Sequence, residues 1–182
     1  MDGVIGVLGA AWGAAGVIAI LSFAVYRLLP RAIEAFEMGL TPVQWLITVA
    51  VCLAMAYSEG YRGFQLHFSP RTAARVRYLR DRPHGLRALF APLFAMGFFH
   101  ATRRTRWTAY GITCAVIFFV VLVQRLDQPW RGIVDAGVVV GLSWGVLSFA
   151  GFVIRALTRP TYPVSPEVSA ERRESPTTGS SH

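Results

Sequence analysis

No lysine occurs in the 182 residues; all eighteen basic positions are arginine. The formal charge of +8 is therefore carried by side chains that stay protonated even when buried and that grip phosphate in bidentate fashion. Charge of either sign is scarce, at 15% of residues, while 54% are hydrophobic, a composition that leaves too little polar surface to coat a soluble domain of this length. Cysteine is nearly absent too. Cys52 and Cys114 each lie inside an apolar block, where a thiol behaves as a small hydrophobe. Without a CxxC pair or a Cys/His cluster, a structural zinc site is not expected, and no metal or cofactor is assigned. The first residues carry an acid, Asp2, and no basic stretch, so the opening apolar run reads as a retained span and not as a cleaved signal.

What is present is apolar residue in blocks, the pattern of a lipid solvent. Crossing a bilayer core of ~30 Å takes ~20 helical residues. Four stretches qualify, at about 4–29, 42–58, 107–126 and 130–157. The expected fold is all-α, an integral membrane four-helix bundle over residues 1–159, followed by a disordered cytoplasmic tail over 160–182 that is rich in proline and poor in large apolar residues. The first span should stop at Pro30. Thr41 should cap the second, with Pro42 in its first turn, and Asp127 and Pro129 should open the fourth. Trp45, Trp107 and Trp130 mark headgroup levels. The dozen residues Leu89–His100, broken by Pro92 and Gly97, are too short to span and read as an interfacial or re-entrant segment.

Orientation follows from the arginines. Ten lie in the connection 59–106 and four, Arg155, Arg159, Arg172 and Arg173, at the end of the last span or after it, whereas Arg27, Arg31, Arg125 and Arg131 on the other side are nearly balanced by acids. This bias places both termini and the central connection in the cytoplasm of a bacterial inner membrane.

Three constellations stand out. Within 69–83, Ser69 and Pro70 open and Pro83 closes a short basic amphipathic helix, suited to lying on anionic headgroups. Arg71, Arg75, Arg77, Arg80 and Arg82, with Arg103, Arg104 and Arg106 further on, are its expected lipid- or partner-binding residues. Nucleic acid is not an expected partner, since topology already accounts for the excess charge. Small residues recur at helical spacing, as Gly9, Gly13 and Gly16 in the first span and Gly137, Gly141 and Gly145 in the fourth. In lipid such stripes allow backbones to approach closely. They either pack spans one and four together or form a seam for a second copy or another membrane protein. Finally, Glu59 and Arg62 end the second span while Arg131 and Asp135 begin the fourth, each expected as a structural ion pair. Glu59 is further expected to face the bundle and hold an arginine of the connection. Glu59 and Asp135 should lie near opposite membrane faces, too far apart to share a ligand.

Other chemistry finds little support. The "GLSWG" of 141–145 matches a hydrolase elbow, but Ser143 sits inside an apolar helix where the required sharp turn cannot form. The spacings of His67, His84 and His100 fit no compact ligand motif. The resulting expectation is a non-enzymatic multi-pass membrane protein serving as an assembly, scaffold or anionic-lipid-binding subunit. The alternatives are a small transporter or channel gated by the charged residues at both faces, and an enzyme acting on lipid headgroups through His67, His100, Glu59 and arginines.

Overall fold

A computed structural model describes residues 2–81, 89–98 and 103–166, the side chains of 2 and 103–106 excepted. The described residues form helices and connecting turns, with no strand among them. In order these are α1 (Asp2–Glu37), α2 (Pro42–Met55), a π-helical segment (Ala56–Phe68), α3 (Ser69–Asp81), α4 (Ala91–Met96), α5 (Arg103–Val123) and α6 (Trp130–Thr158). Three helices are long and apolar enough to cross a membrane: Gly3–Glu37, Trp130–Thr158, and an unbroken run from Pro42 to Asp81 that joins α2, the π segment and α3. The stretch expected as a third span is a shorter apolar helix, Trp107–Val123.

Local chemistry sets the ends of these elements. α1 does not stop at Pro30 but continues through it to Glu37. A proline inside a helix forfeits the one backbone bond it would have made to the carbonyl four residues earlier, here that of Tyr26, a loss that a long helix can bear. Gly39, in the left-handed region at φ +79°, ends the helix, its N–H donating to the Phe36 carbonyl at 3.2 Å. Thr41 then caps α2 as expected. Its hydroxyl accepts from the Gln44 N–H at 3.3 Å, and Gln44 Oε1 accepts from the Thr41 N–H at 2.9 Å, a complete capping box. The start of α6 is capped by Gln128, not by Asp127: Gln128 Oε1 accepts from the Gly132 N–H at 3.0 Å, while its Nε2 donates to the Arg31 carbonyl and to Glu34.

The largest departure from expectation lies at residue 58, where the second span should have ended. The helix continues, changing its winding to π at Ala56 and back to α at Ser69. Ser69 therefore caps nothing; it is buried mid-helix and its hydroxyl shares a 2.9 Å hydrogen bond with that of Ser148. α3 does not stand apart as a surface helix either. Ser69, Thr72–Val76 and Leu79 are all buried, packed between α1 and α6.

The core joins Ala10, Ala14, Val17 and Leu21 of α1, Ala73 and Val76 of α3, Ala95 of α4, and Phe149, Val153 and Ala156 of α6. It is built on α1, the second helix and α6, with α4 wedged in, and not on four full spans. Nearly all described side chains of α5 are exposed, Val123 being its buried residue. An apolar helix gains little by leaving lipid for protein, so α5 has no strong drive to pack.

Both glycine stripes are used within the chain, but not against each other. On α1, Gly9 is buried, Gly13 faces Leu79 and Ala91, and Gly16 faces Pro92. On α6, Gly137 faces Val51 and Met55, Gly141 faces Met55 and Glu59, and Gly145 faces the Phe64 ring. Spans one and four do pack together, as expected, with Gly132 against Arg31 and Ala35, but the two glycine stripes themselves face the second helix and α4, whose close approach they allow. A Cβ at Gly145 would lie 2.7 Å from Phe64 Cγ, whereas one at Gly151 meets nothing within 4 Å. Thermal unfolding in mild detergent should therefore show Gly145→Val destabilised by about 1–3 kcal/mol, the usual overpacking cost. Gly151→Ala should be neutral or slightly stabilised, by up to about 1 kcal/mol.

Candidate functional site

The π segment runs parallel to α6, and its winding has a geometric cause. Glu59 lies against Gly141 and Ser69 bonds Ser148, so the second helix advances ten residues where α6 advances seven. The i→i+5 winding fits more residues into each unit of length than an α-helix does. Beyond it the two helices stay in step, with Ser69 beside Ser148 and Arg77 beside Ala156, each pair 79 positions apart.

This register fixes the depth of the segment. Between Asp135 and Arg155, α6 carries no charge over a distance of ~30 Å at 1.5 Å per residue, the thickness of a bilayer core. Glu59 packs its Cβ against Gly141, about 9 Å inward from Asp135 on that scale. Gln65 reaches the middle, where its Oε1 accepts from Trp144 Nε1 at 2.8 Å. Glu59 and Arg62 are therefore on a helix that continues past them, level with α6's apolar stretch. Glu59 and Asp135, expected near opposite faces, lie fewer than two turns of α6 apart.

The expected Glu59–Arg62 pair does not form; among the described residues neither side chain makes an ion pair. In an α-helix residues three apart are neighbours, but π winding turns them away from one another. The expected hold of Glu59 on an arginine of the connection is likewise not found among the described residues. The carboxylate passes over Gly63 and is exposed. Tyr57, Ser58, Tyr61, Arg62, Leu66 and His67 are exposed as well, with the rings of Tyr57 and Tyr61 stacked at 6.1 Å. His67 Nδ1 donates to the Arg62 carbonyl at 2.6 Å, so that nitrogen carries the proton. At this depth an ionised side chain facing lipid costs ~2.5–3.5 kcal/mol on insertion scales.

Asp135, at the other end of the apolar interval, is buried and keeps its expected partner, Arg131 Nε at 4.0 Å. That contact is at the limit of an ion pair, and neither Asp135 Oδ2 nor Arg131 Nε has a hydrogen bond.

The arginines of α3 point mainly into the protein. Arg75 is buried, donates to the Phe94 carbonyl at 2.9 Å and lies 5.4 Å from the centre of that ring, fixing α4. Arg77 donates to the carbonyls of Ala156, Arg159 and Pro160, and to Asp81. Arg80 donates to the Leu157 carbonyl at 2.7 Å and to Asp81. The last carbonyls of a helix have no partner inside it and carry partial negative charge. α3 thus supplies the C-terminal cap of α6. These three arginines, expected to bind lipid, are spent on the fold, because the continuous second helix brings them beside the end of α6. Arg71 is exposed; Arg82, and the side chains of Arg103, Arg104 and Arg106, lie outside the described residues, as do His84, His100, Pro83 and most of the tail.

Among the described residues no group of three His, Cys, Asp or Glu side chains could hold a metal ion. Cys52 and Cys114 are unpaired thiols. Ser143 lies in the unbroken α6. A shallow groove beside the π segment is lined by Gln65, Trp144, Leu147, Gly151, Phe152 and Arg155. Sequence reasoning singled out Glu59 and Arg62 but missed Gln65, Trp144 and the π winding; the glycines at 60 and 63, with polar residues directly after an apolar run, were the available signal. No family model, curated protein or solved structure matches the chain.

Arg77→Ala should lower thermal stability by about 1.5–3 kcal/mol, the worth of hydrogen bonds to a charged group. Arg77→Lys should recover only part, since one ammonium cannot reproduce the guanidinium fork. Hydrogen exchange should localise the loss to the final turns of α6. Just beyond that helix, the Tyr162 hydroxyl donates to the Pro70 carbonyl at 3.1 Å. Burial raises its pKa above the ordinary tyrosine value, against a smaller lowering by Arg155. Since the neutral phenol is favoured in the folded state, this contact should hold through neutral pH and weaken above about pH 10, the free-tyrosine range. An ultraviolet tyrosinate titration of the native chain minus Tyr162→Phe should show one phenol ionising later than free tyrosine.

Proposed function

We propose that the protein is a non-enzymatic assembly subunit of a membrane complex, associating through the polar face of its π segment. The supporting observation is that Glu59 and Arg62 stand exposed and without an ion pair among the described residues, level with the middle portion of an apolar helix. Ionisable residues at such depth are seldom left to lipid; they face protein, water-filled paths or each other. π-helical turns also concentrate at functional sites. The glycine stripes, already filled within the chain, are not the contact surface in this reading.

The finer topology belongs to the same proposal. The α5 helix adds a fourth crossing, so that both chain ends and the arginine-rich connection share the cytoplasmic side of a bacterial inner membrane. Anionic headgroups then meet Arg71 and the arginines at 82 and 103–106, while Arg75, Arg77 and Arg80 serve the fold.

Extraction of the chain with its native lipids, followed by mass spectrometry of the intact particles, tests this. The expected result is a complex heavier than one chain, weakened by Glu59→Ala and by Arg62→Ala. A monomer in native lipid, with both variants indistinguishable from the parent, overturns it.

A second reading, a small transporter, is favoured by the short separation between Glu59 and Asp135. It predicts proton or ion flux in liposomes that falls in Glu59→Gln and Asp135→Asn. Unchanged flux in both rules it out.

A further inference from the structure

Resting on the assembly reading above, we infer that the partner covering the π segment is a second copy of this chain, placed by a twofold axis running along the helices. π winding takes about 4.4 residues per turn, which sets Glu59 and Arg62 about 115° apart around the segment. Ser58, Gly63 and His67 fall between them. Ser58 and His67 are exposed, and a Cβ at Gly63 would meet only the Ser58 carbonyl and the Glu59 carboxylate within 4 Å. The face therefore has an acid on one flank, a base on the other and, at the level of these charges, the small residues Ser58 and Gly63 between them, with His67 further along the segment.

Two copies inserted in the same orientation can only be related by an axis along the membrane normal. Such an axis holds depth constant and exchanges the two flanks. Glu59 of one copy then opposes Arg62 of the other, and Arg62 opposes Glu59, the exchange that flanking charges make in parallel coiled coils. Glu59 and Arg62 are three residues apart, so their depths differ by only a few ångströms, within the reach of an arginine side chain. The same-sign pairs stay on opposite flanks. The low centre at Ser58 and Gly63 allows the two segments to approach closely, as small residues do between membrane helices. No other surface among the described residues combines exposed, opposite and unpaired charges at this depth.

The test uses the full chain extracted with native lipids. Wild type should be dimeric by native mass spectrometry. Glu59→Arg and Arg62→Glu should each lower the dimer fraction at least about tenfold, as like charges replace each pair. The double exchange Glu59→Arg/Arg62→Glu in one chain should restore the dimer, and that restoration excludes simple misfolding as the cause of the single losses. A dimer insensitive to the single changes, or singles that the double does not rescue, overturns the proposal. In a Cys52→Ala/Cys114→Ala background, Ser58→Cys carrying a benzophenone should cross-link to a second copy, and Ile154→Cys should not. Cross-linking of Ser58→Cys to a different protein overturns self-association while leaving the assembly reading intact. A product of monomer mass containing only lipid overturns both.

Discussion

The fit of a long helix beside a shorter stretch of its neighbour governs this molecule. Between the Glu59–Gly141 contact and the Ser69–Ser148 bond, the second helix must place ten residues against seven. An ordinary α-helix in close parallel contact would run out of register there. The π winding absorbs the excess, and the glycine stripe of α6 makes room for it, with Phe64 over Gly145 and Glu59 over Gly141. In return Gly60 lets the Trp144 ring approach to a distance that a Cβ would not allow.

Two consequences follow at the two ends of that contact. On the α3 side the helices emerge in step, which delivers Arg77 and Arg80 to the open carbonyls of α6 and buries Arg75 against Phe94. A helix terminus that would otherwise need water or headgroups is closed by the protein itself. On the α2 side the polar sequence after Ser58 is drawn inward, alongside the apolar part of α6. The same winding that satisfies the packing therefore leaves charged groups at a depth where lipid is a poor solvent for them. That conflict is what gives the π face its candidate role as an association surface.

Glycine carries much of this design because lipid offers no hydrophobic reward for helix contact. Dispersion between closely approaching backbones and a few interhelical hydrogen bonds, such as Ser69 to Ser148 and Gln65 to Trp144, have to suffice. α5 shows the complementary case. With large apolar side chains along its length and Gly111 facing open space, its described residues meet the rest of the chain at few points, such as Tyr110 against Phe98, and lie outside the core.

Several features were legible in one dimension, because they depend on local sequence. Apolar blocks marked the membrane helices, Thr41 and Gln44 announced a capping box, and the spacing of Gly137, Gly141 and Gly145 announced close packing. Arg131 and Asp135, four residues apart on one α-helix, could be paired from their spacing alone. The rest required the tertiary structure. Composition does not distinguish π from α winding, since both satisfy the backbone with local bonds; the choice is made by the neighbouring helix. Nor does hydropathy reveal whether an arginine meets headgroups or a carbonyl nearly eighty residues away, as Arg77 and Arg80 do. By itself the sequence determined that the chain is helical and suited to lipid, because burying apolar side chains and satisfying backbone groups are requirements of each segment. Where Glu59, Arg62 and the α3 arginines came to lie was decided by contacts between segments, since depth in a bundle is set by register and register is a property of pairs of helices.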